Sequence, residues 1–461
     1  MNAACINKLG KSICFVVLTL FCFVVSGYAD ISYAGISESY NVRITEQADS
    51  SSFIKEISKS HLSLDYSLNI RQIAPLTNNN VSSSRKKLSR WYSVSTNSMA
   101  AYDTLKTMSS VDLVSRNIDV TFASISNDPQ VSNMWYLETM EVEKALEIES
   151  GSEEIIIAHL DTGARLTHED LQQNIWVNPG EIAGNGIDDD GNGYIDDIHG
   201  WDFGDRDSDP TETSNYPHGT STLGLISATK NNAIGMLGLA GPSKAMIIKG
   251  SNKNTSPYSP DPIVGLMDEV AAAITYAVDN GARVMNGSFG SQGSDYEDFQ
   301  LFQDACEYAN SKDVLFVVSA GNDGRDIDDD PFYPASFAYE NVISVAATDS
   351  QDNLASFSNY GKKDVDVAAP GKDIRTTSTS SDIGYVDING TSASAPMVAS
   401  LAALLYAQDP NRTAAEVKSI ILNTVDKVSA LEGKVLTGGR INFYKALSYE
   451  DVGKPRIELT G

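Results

Sequence analysis

Residues 155–163 read IIIAHLDTG, an apolar run that ends at an aspartate, a threonine and a glycine. The run is short and rich in β-branched residues, which is typical of a buried β-strand. Asp161 would then stand at the carboxyl end of that strand. Ligands of parallel α/β sheets bind at the carboxyl ends of the strands, so this stretch predicts both the fold and the place of a functional site.

Other short apolar runs further along the chain have the same character. They lie at residues 245–249, 283–286, 314–319 and 342–346. Segments 264–280 and 301–311 lie between them and carry apolar residues at helical spacing. Strands that alternate with helices indicate an α/β fold, a three-layer doubly wound parallel sheet.

The length and the charge of the chain restrict its class. With 461 residues, the chain is long enough for two or more folding units. Its formal net charge of -27 would repel nucleic acid and an anionic membrane, so we expect neither as a partner. The same charge favours cations as ligands.

The first 29 residues have the pattern of a signal peptide. Lys8 and Lys11 precede an apolar run at 13–25, and small residues follow as far as Ala29. An uncleaved membrane anchor is the alternative, but the run is short for a bilayer span. We therefore expect a secreted protein, extracellular or periplasmic, with no membrane attachment after cleavage.

Cysteine positions exclude an internal disulfide framework in the exported protein. Cys5, Cys14 and Cys22 lie in the segment to be removed, which leaves Cys306 alone. Stability must then come from a large core or from bound metal.

Composition divides the rest of the chain into three parts. Residues 30–126 are rich in serine and asparagine and predict a small α+β domain, residues 127–449 carry the larger α/β domain, and residues 450–461 form a short tail. The α+β domain has a weak strand-helix-strand pattern at 91–94, 99–108 and 111–117.

Two further segments combine with Asp161. His218, followed by Gly219 and Thr220, opens an apolar helical segment that runs to residue 228. Ser392 precedes Pro396, which suits a first helical turn, and residues 397–407 continue as a nearly all-apolar helix. Ser392 would stand at a helix N-terminus, whose unpaired amides favour developing negative charge.

Each of these three residues alone is more often a cap or a structural residue. Together, an aspartate, a histidine and a serine at the ends of predicted elements are the set that nucleophilic acyl transfer needs. The order Asp, His, Ser and the missing GxSxG motif disfavour an esterase of the α/β-hydrolase type.

With these motifs, residues 127–447 resemble the subtilisin-like serine proteases, or subtilases. The motifs are DTGARLTHEDL from Asp161, HGTSTLG from His218, GTSASAP from Gly390, and VVSAGNDG, which contains Asn322. The resemblance implies that Ser392 is the nucleophile, His218 the general base and then acid, and Asp161 the group that orients the imidazole. Asn322 and the Ser392 amide would hold the oxyanion.

The chain departs from the family pattern at two places. A second histidine and small residues usually follow the catalytic histidine, whereas this chain has Ser221, Thr222 and Leu223. Ala393 and Ser394 after the serine are similar to the spelling in kexin-like convertases, but the other motifs do not follow that branch. We therefore infer no dibasic specificity.

The resemblance also implies where a protein or peptide substrate binds. The segment 286–290 would pair with an extended peptide, opposite a second segment near Gly250 and Ser251. The predicted substrate-binding residues are Ser288, Phe289, Gly290, Ala320 and Gly321. Phe332, just before Tyr333, either shortens the first specificity pocket or turns into the core.

The segment at 90–117 resembles the family's propeptide, which templates folding and occupies the active site until it is cut. The protein would then have its own propeptide as a partner, with autoprocessing between about residues 117 and 128. A plain binding or linker domain is the alternative.

Residues 184–197 read GNGIDDDGNGYIDD and follow the calcium-loop pattern. The predicted ligands are Asp188, Asp190, Asn192, the Tyr194 carbonyl, Asp196 and Asp197. The twelfth place holds His199 instead of a glutamate, and Asp197 or Asp202 is the expected replacement. A solvated acidic loop is the alternative, but unpaired carboxylates this close would repel one another.

A second calcium site is implied by the resemblance alone. Its ligands would be Asp128, Asp170 and Asn232, with the carbonyls of Lys230, Ile234 and Met236. The sequence thus predicts a secreted, calcium-stabilised, monomeric serine endopeptidase made as a preproenzyme. The alternative is a catalytically silent subtilase fold used for calcium-dependent binding or adhesion, which has no need of the full set of catalytic residues.

Overall fold

The computed structural model describes most of the chain. The described residues are 38–60, 68–72, 89–96, 101–116, 126–212, 218–250, 266–293 and 296–449. The predicted signal peptide, the tail and Ser251 lie outside them. None of the helices within these ranges is long and apolar enough to cross a membrane. The chain divides into two units, Met1–Ala123 and Ser124–Gly461.

The first unit contains an antiparallel sheet of strands β1 (Glu38–Ile44), β2 (Asn69–Gln72), β3 (Trp91–Thr96) and β4 (Val111–Arg116), in the order β2-β3-β1-β4. Helices α1 (Ser50–Lys59) and α2 (Ala101–Lys106) accompany it. Alternate strand residues pack against both helices, as the pleat of a half-buried sheet requires. The core of this unit therefore lies between one sheet face and the two helices.

The second unit is built on a larger sheet, whose strands are mostly parallel. The strands of the whole unit are β5 (Ile156–Asp161), β6 (Gly200–Asp202), β7 (Lys244–Lys249), β8 (Val284–Gly287), β9 (Ser291–Gln292), β10 (Leu315–Ser319), β11 (Phe332–Tyr333), β12 (Val342–Thr348), β13 (Val367–Pro370), β14 (Ile374–Thr377), β15 (Tyr385–Ile388), β16 (Asp426–Lys427) and β17 (Gly439–Arg440). The large sheet has the order β16-β17-β13-β12-β10-β8-β5-β7-β6, and β9 with β11 and β14 with β15 form separate pairs. Only the pairing of β16 with β17 is antiparallel in the large sheet as described.

Helices cover both faces of this sheet. They are α3 (Tyr136–Thr139), α4 (Val142–Leu146), α5 (Gly219–Ser227), α6 (Met267–Asp279), α7 (Gln300–Ser311), α8 (Thr391–Gln408), α9 (Ala414–Asn423) and α10 (Phe443–Leu447). Short 3₁₀ turns lie at Val131–Asn133, Gln172–Asn174, Tyr296–Phe299 and Ser429–Leu431.

Successive residues of the strands alternate between two cores. In β10, Leu315 and Val317 pack with α8, whereas Phe316 and Val318 pack with α6 and α7. A strand with both faces buried reads as a continuous apolar run, which is why these strands could be recognised in the sequence. The predicted three-layer α/β fold is confirmed.

The shortest elements were not predicted from the sequence. Strands β6 and β17 are only three and two residues long, too short to show a period. Strand β1 and helix α1 of the first unit were also missed, because each has only three large apolar residues in a serine-rich context.

The helix that carries Ser392 begins earlier than predicted. It starts at Thr391, so Pro396 lies in its second turn and not in its first. Proline has no amide hydrogen, and the carbonyl four residues before it therefore loses its helical partner. That carbonyl belongs to Ser392, and it accepts a hydrogen bond from the Ser288 hydroxyl at 3.2 Å. A neighbouring strand end thus supplies the bond that the helix lacks.

Candidate active site

Asp161 and His218 are in hydrogen-bond contact at the carboxyl edge of the large sheet. Asp161 is the last residue of β5, and His218 immediately precedes α5. The Nδ1 of His218 lies 2.6 Å from Oδ1 of Asp161. The aspartate side chain is buried, whereas 32% of the histidine side chain is exposed. One ring nitrogen of His218 is therefore bonded to a buried carboxylate, while part of the ring is exposed to solvent.

Burial and charge act in opposite directions on this pair. Burial raises the pKa of Asp161, but His218 lowers it, and the net result is a pKa below the ordinary value. Burial lowers the pKa of His218, but the Asp161 and Glu212 carboxylates raise it, and the net result lies above the ordinary value. An ionised Asp161 thus stabilises the protonated imidazole that forms when a general base takes a proton.

The carboxylate of Glu212 holds the start of α5. It accepts hydrogen bonds from the amides of His218 at 2.9 Å, Gly219 at 3.0 Å and Thr220 at 3.0 Å. It also accepts from the hydroxyls of Thr162 and Thr220. Burial raises the pKa of Glu212. The sequence reading missed this residue because Glu212 lies outside the cap positions at which a local pattern looks for helix partners.

Ser392 is the second residue of α8, a helix that packs against α5. It is part-buried, and its hydroxyl donates to the Ser288 carbonyl at 3.4 Å. Among the described side chains, no hydrogen bond joins this hydroxyl to the His218 ring. The structure therefore brings Asp161 to His218 directly and leaves the third contact of the predicted set unformed.

Asn322 faces the start of α8 from the end of β10. Its Oδ1 accepts from the Thr391 amide at 2.8 Å and from the Thr391 hydroxyl at 3.0 Å. Both bonds use the oxygen, so the amide nitrogen keeps its donors. Gly390 has φ 155° and ψ 157°, a region that only glycine populates readily, and a methyl group on it would lie 3.5 Å from Asn322 Nδ2.

The predicted substrate segment leaves β8 beside the serine. Ser288 and Ser392 share two hydrogen bonds. The Ser288 hydroxyl donates to the Ser392 carbonyl, and the Ser392 hydroxyl donates to the Ser288 carbonyl. Phe289 stacks on Phe302 with ring centroids 6.3 Å apart, and Gly290 is exposed. The strand end and the helix start are thus held in register.

The Phe332 ring lies between two of the predicted pocket residues. A methyl group added to Gly290 would lie 2.2 Å from the ring, and one added to Gly321 would lie 3.1 Å from it. Ala320 and Gly321 are buried at the end of β10. Phe332 itself is part-buried and also packs on the core that contains α6 and α7. Its ring thus fills the space between the two glycines.

The acidic loop at 184–197 gathers carboxylates in one place. Oxygens of Glu181, Asp188 and Asp190 lie within 4.8 Å of one another. Oxygens that share a calcium ion at 2.3–2.6 Å are at most about 5 Å apart, so this anionic oxygen set fits calcium. Glu181 precedes the twelve-residue pattern, which is why the pattern could not identify it.

The predicted loop ligands also accept hydrogen bonds within the protein, and Asp188 accepts from the amides of Gly191, Asn192 and Gly193. The carboxylate of Asp196 accepts from the amides of Asn185 at 3.1 Å and Gly186 at 2.9 Å. Asp197 is buried and accepts from the Tyr276 hydroxyl at 2.5 Å and from Asn178 and Asn192.

The expected replacement for the twelfth ligand also has another partner. Asp202 forms a buried ion pair with Lys249. The side chain at the twelfth place, His199, has its Nδ1 2.9 Å from the Trp176 carbonyl. Among the described residues, the carboxylate that joins Asp188 and Asp190 is that of Glu181. The two other predicted ligands, Asn192 and Tyr194, are bonded to each other, because Asn192 Oδ1 accepts from the Tyr194 amide at 2.8 Å.

The predicted second metal site lies at the loop after α5. Asp128 accepts from the Ala233 amide at 3.1 Å, and Asp170 accepts from the Asn232 side chain at 2.8 Å and the Met236 amide at 2.9 Å. Burial raises the pKa of Asp170 to about 6. A cation beside it would favour the ionised form, so these oxygens also fit calcium.

The chain is similar in sequence to known proteases. The family model described as the subtilase family, Peptidase_S8, matches residues 152–440. The chain is 38% identical over 305 residues to the thermophilic serine proteinase of Bacillus sp. (strain AK1), which covers 66% of this chain and 64% of that protein. It is 36% identical over 328 residues to thermitase of Thermoactinomyces vulgaris, which covers 70% of this chain and 99% of thermitase.

Solved structures show the same fold. A protease of Pseudoalteromonas arctica PAMC 21717 has a TM-score of 0.56 and 25% identity, and the match covers 70% of this chain and 99% of that chain. A lanthipeptide protease has a TM-score of 0.54 and 22% identity, with 70% of this chain and 97% of that chain covered.

Proposed function

The chain belongs to the subtilase family of serine endopeptidases, and from this we propose that it hydrolyses peptide bonds through Asp161, His218 and Ser392. The observation that carries the proposal is the 2.6 Å contact between His218 Nδ1 and the buried Asp161 carboxylate, beside a helix whose second residue is Ser392. A buried carboxylate on one ring nitrogen leaves the other nitrogen to take a proton from a nucleophile.

In the proposed mechanism, Ser392 Oγ attacks the scissile carbonyl while His218 takes its proton. The carbon becomes tetrahedral, and its oxyanion is stabilised by Asn322 Nδ2 and the Ser392 amide. His218 then gives the proton to the leaving amine, which departs as the carbonyl re-forms in an acyl-enzyme. Water, deprotonated by His218, hydrolyses the ester and restores the Ser392 hydroxyl.

The described residues show no hydrogen bond between the Ser392 hydroxyl and the His218 ring. This is compatible with the mechanism, because catalytic hydrogen bonds often tighten only when substrate is bound. Hydrolysis of casein that a serine-directed fluorophosphonate stops, with the label found on Ser392, is the test. A labelled site elsewhere, or a protein that binds calcium but cuts nothing, would favour the binding or adhesion function instead.

We further propose that the first specificity pocket is short. Ser288, Phe289 and Gly290 would line one wall, Ala320 and Gly321 the other, and the Phe332 ring would close the space between them. Small side chains would therefore be preferred at the residue before the cut.

The Phe332→Ala variant tests the pocket. Removal of the ring is expected to raise kcat/KM for peptides with phenylalanine before the cut by about 10- to 100-fold, because buried apolar contacts in a specificity pocket discriminate by that much. Initial rates on matched peptides with phenylalanine or alanine at that position measure the change. The alanine peptide is the internal control, and its kcat/KM should stay within about threefold. Equal changes for both peptides would contradict a pocket role.

Calcium is proposed at both loops. Glu181, Asp188 and Asp190 would form the anionic part of the first site with Asn192 and the Tyr194 carbonyl, and Asp196 and Asp197 would support the loop. Asp128, Asp170 and Asn232 would hold the second ion with the carbonyls of Lys230, Ile234 and Met236. When bound, calcium supplies charge neutralisation and cross-links the loops, which stabilises the fold without taking part in the chemistry.

Removal of calcium is expected to lower the melting temperature by about 5 °C or more. Ligand at a hundred times its Kd contributes about 2.7 kcal/mol per site. Thermal unfolding with calcium and with a chelator measures the effect. The Asp188→Asn variant should respond less to calcium, whereas Asp298→Asn, which changes an exposed carboxylate outside both loops, should respond like the wild type. Equal melting temperatures with and without chelator would refute both sites.

The region before the protease unit is proposed to be a signal peptide at residues 1–29 and a propeptide at 30–126, which would inhibit the enzyme and assist its folding. The protease would then be secreted and act as a monomer. Support comes from the leader pattern and from the separate unit Met1–Ala123. Mass spectrometry of the exported protein should find an N-terminus between about residues 117 and 128, and an N-terminus before Arg90 would exclude autoprocessing there.

A further inference from the structure

A buried histidine that the proposed mechanism does not use lies beneath Asp161. His159 is two residues before Asp161 in β5, so both side chains emerge on the same face of the sheet. It is fully buried. A titratable group in such a place needs partners for both ring nitrogens, because a buried polar atom without one is costly.

The partners of His159 fix its tautomer. The Nε2 lies 3.0 Å from the Gly219 carbonyl, which can only accept, so this nitrogen carries the hydrogen. The Nδ1 is then the acceptor, and the Asn286 side-chain nitrogen lies 3.5 Å from it. Burial lowers the pKa of His159, which agrees with a neutral ring. The ring thus binds the backbone of α5 on one side and β8 on the other.

Thr222 joins this ring to the Asp161 carboxylate. Its hydroxyl lies 3.0 Å from Asp161 Oδ2, which only accepts, and 3.3 Å from His159 Nε2. The His218 and Gly219 carbonyls lie 3.1 Å from the same hydroxyl, and the charged carboxylate is the strongest of these three acceptors. The other carboxylate oxygen, Oδ1, is bonded to the Thr162 amide at 2.7 Å and to His218. Among the described residues, Thr222 gives the side-chain hydrogen bond to Oδ2. Without it, one oxygen of a buried carboxylate would lose its partner.

The same network continues to the nucleophile. The Asn286 side-chain nitrogen lies 3.2 Å from the Ser288 hydroxyl, and that hydroxyl donates to the Ser392 carbonyl at 3.2 Å. A buried chain of hydrogen bonds therefore links Asp161, Thr222, His159, Asn286 and Ser288 to the backbone of Ser392. It connects the two helices that carry His218 and Ser392.

We propose that Thr222 and His159 are positioning residues of the active site. Thr222 holds Asp161 Oδ2 so that Oδ1 stays aimed at His218, and His159 fixes Thr222 and the first turn of α5 through Gly219. This role rests on the proposed endopeptidase mechanism. It accounts for the hydroxyl at residue 222 in the histidine motif of this chain, because that hydroxyl is the side-chain partner of Asp161 Oδ2 among the described residues.

The Thr222→Val variant tests the role because valine keeps the shape and removes the hydroxyl. A carboxylate free to rotate is expected to lower kcat by about tenfold with little change in KM. Thr222→Ser restores the hydroxyl and should keep at least about a third of the wild-type kcat. The Thr377→Val variant is the matched control, because it removes a buried hydroxyl bonded to the Thr220 carbonyl of the same helix. It should lose stability but not kcat.

A second measurement does not depend on turnover. Asp161 and Glu212 are the carboxylates that act on His218, and the Thr222 hydroxyl directs its positive end at Asp161. Its removal should raise the pKa of His218 by about half a unit, measured by NMR titration of the histidines. The chain has only five histidines, which makes assignment by single substitution practical.

The outcomes separate the two proposals. A wild-type protein that hydrolyses no peptide would overturn the proposed function, while the NMR titration would still decide the role of Thr222. An unchanged His218 pKa together with an unchanged kcat in Thr222→Val would overturn the positioning role. So would Thr222→Ser that fails to restore kcat, or Thr377→Val that lowers kcat equally. His159→Gln, which keeps a donor near the Nε2 position, should lose less kcat than His159→Phe, and the reverse order would contradict the part assigned to His159.

Discussion

The Ser392→Ala variant is expected to lose peptide hydrolysis by about 10⁶-fold in kcat. The substitution removes the only atom that can form the acyl-enzyme in the proposed mechanism, while the Asp161 and His218 contact remains. Loss of the nucleophile in a serine protease of this type costs about as much as loss of all three catalytic groups, because the three act as a unit. Hydrolysis of a chromogenic peptide, measured down to the uncatalysed rate, gives the size of the loss.

The fold should survive this change. The Ser392 hydroxyl makes one long bond, 3.4 Å to the Ser288 carbonyl, and is part-buried. The melting temperature is therefore expected to stay within about 3 °C of the wild type. Ser394→Ala is the control on the same helix, since the Ser394 hydroxyl bonds to the Ala369 and Pro370 carbonyls away from the reacting centre. Wild-type activity in Ser392→Ala, or an equal loss in Ser394→Ala, would reject the assignment.

The Asp161→Ala variant is expected to lose about 10⁴-fold in kcat. His218 Nδ1 would lose its acceptor at 2.6 Å, and the ring could then adopt the wrong tautomer or rotate away. The loss is smaller than for the serine because nucleophile and base both remain. Steady-state rates at several pH values measure it. Asp382→Ala, which removes an exposed carboxylate paired with Arg165, should leave kcat unchanged.

The same variant has a signature in its pH profile. Burial lowers the pKa of His218, and the Asp161 and Glu212 carboxylates raise it above the ordinary value. The base must be neutral, so wild-type activity should fall as the pH drops through this raised pKa. Without Asp161, one source of the raised pKa is gone, and the acid limb of the residual activity should move to lower pH. An acid limb at unchanged pH would mean that His218 does not set it.

Residues 155–163 show how much of the fold local sequence can predict. The apolar run predicted a buried strand that ends at Asp161, and the structure has β5 there because both of its faces are covered by helices. The helix at Ser392 shows the limit. A rule based on Pro396 placed the helix start too late. No local rule anticipates that Ser288, which follows another strand, would donate a hydrogen bond to the carbonyl that the proline leaves without a helical partner.

Short-range periodicity and contiguous motifs were enough to predict the alternation of strands and helices, the family, and the candidates Asp161, His218, Ser392 and Asn322. The groups that support these candidates could be identified only from the folded structure. Glu212 at the start of α5 and Glu181 beside Asp188 lie a few residues outside the motifs that they support, and His159 with Thr222 beneath Asp161 joins segments that are distant in the chain. Burial creates their importance, since a polar group removed from water must find its partner wherever the fold brings one.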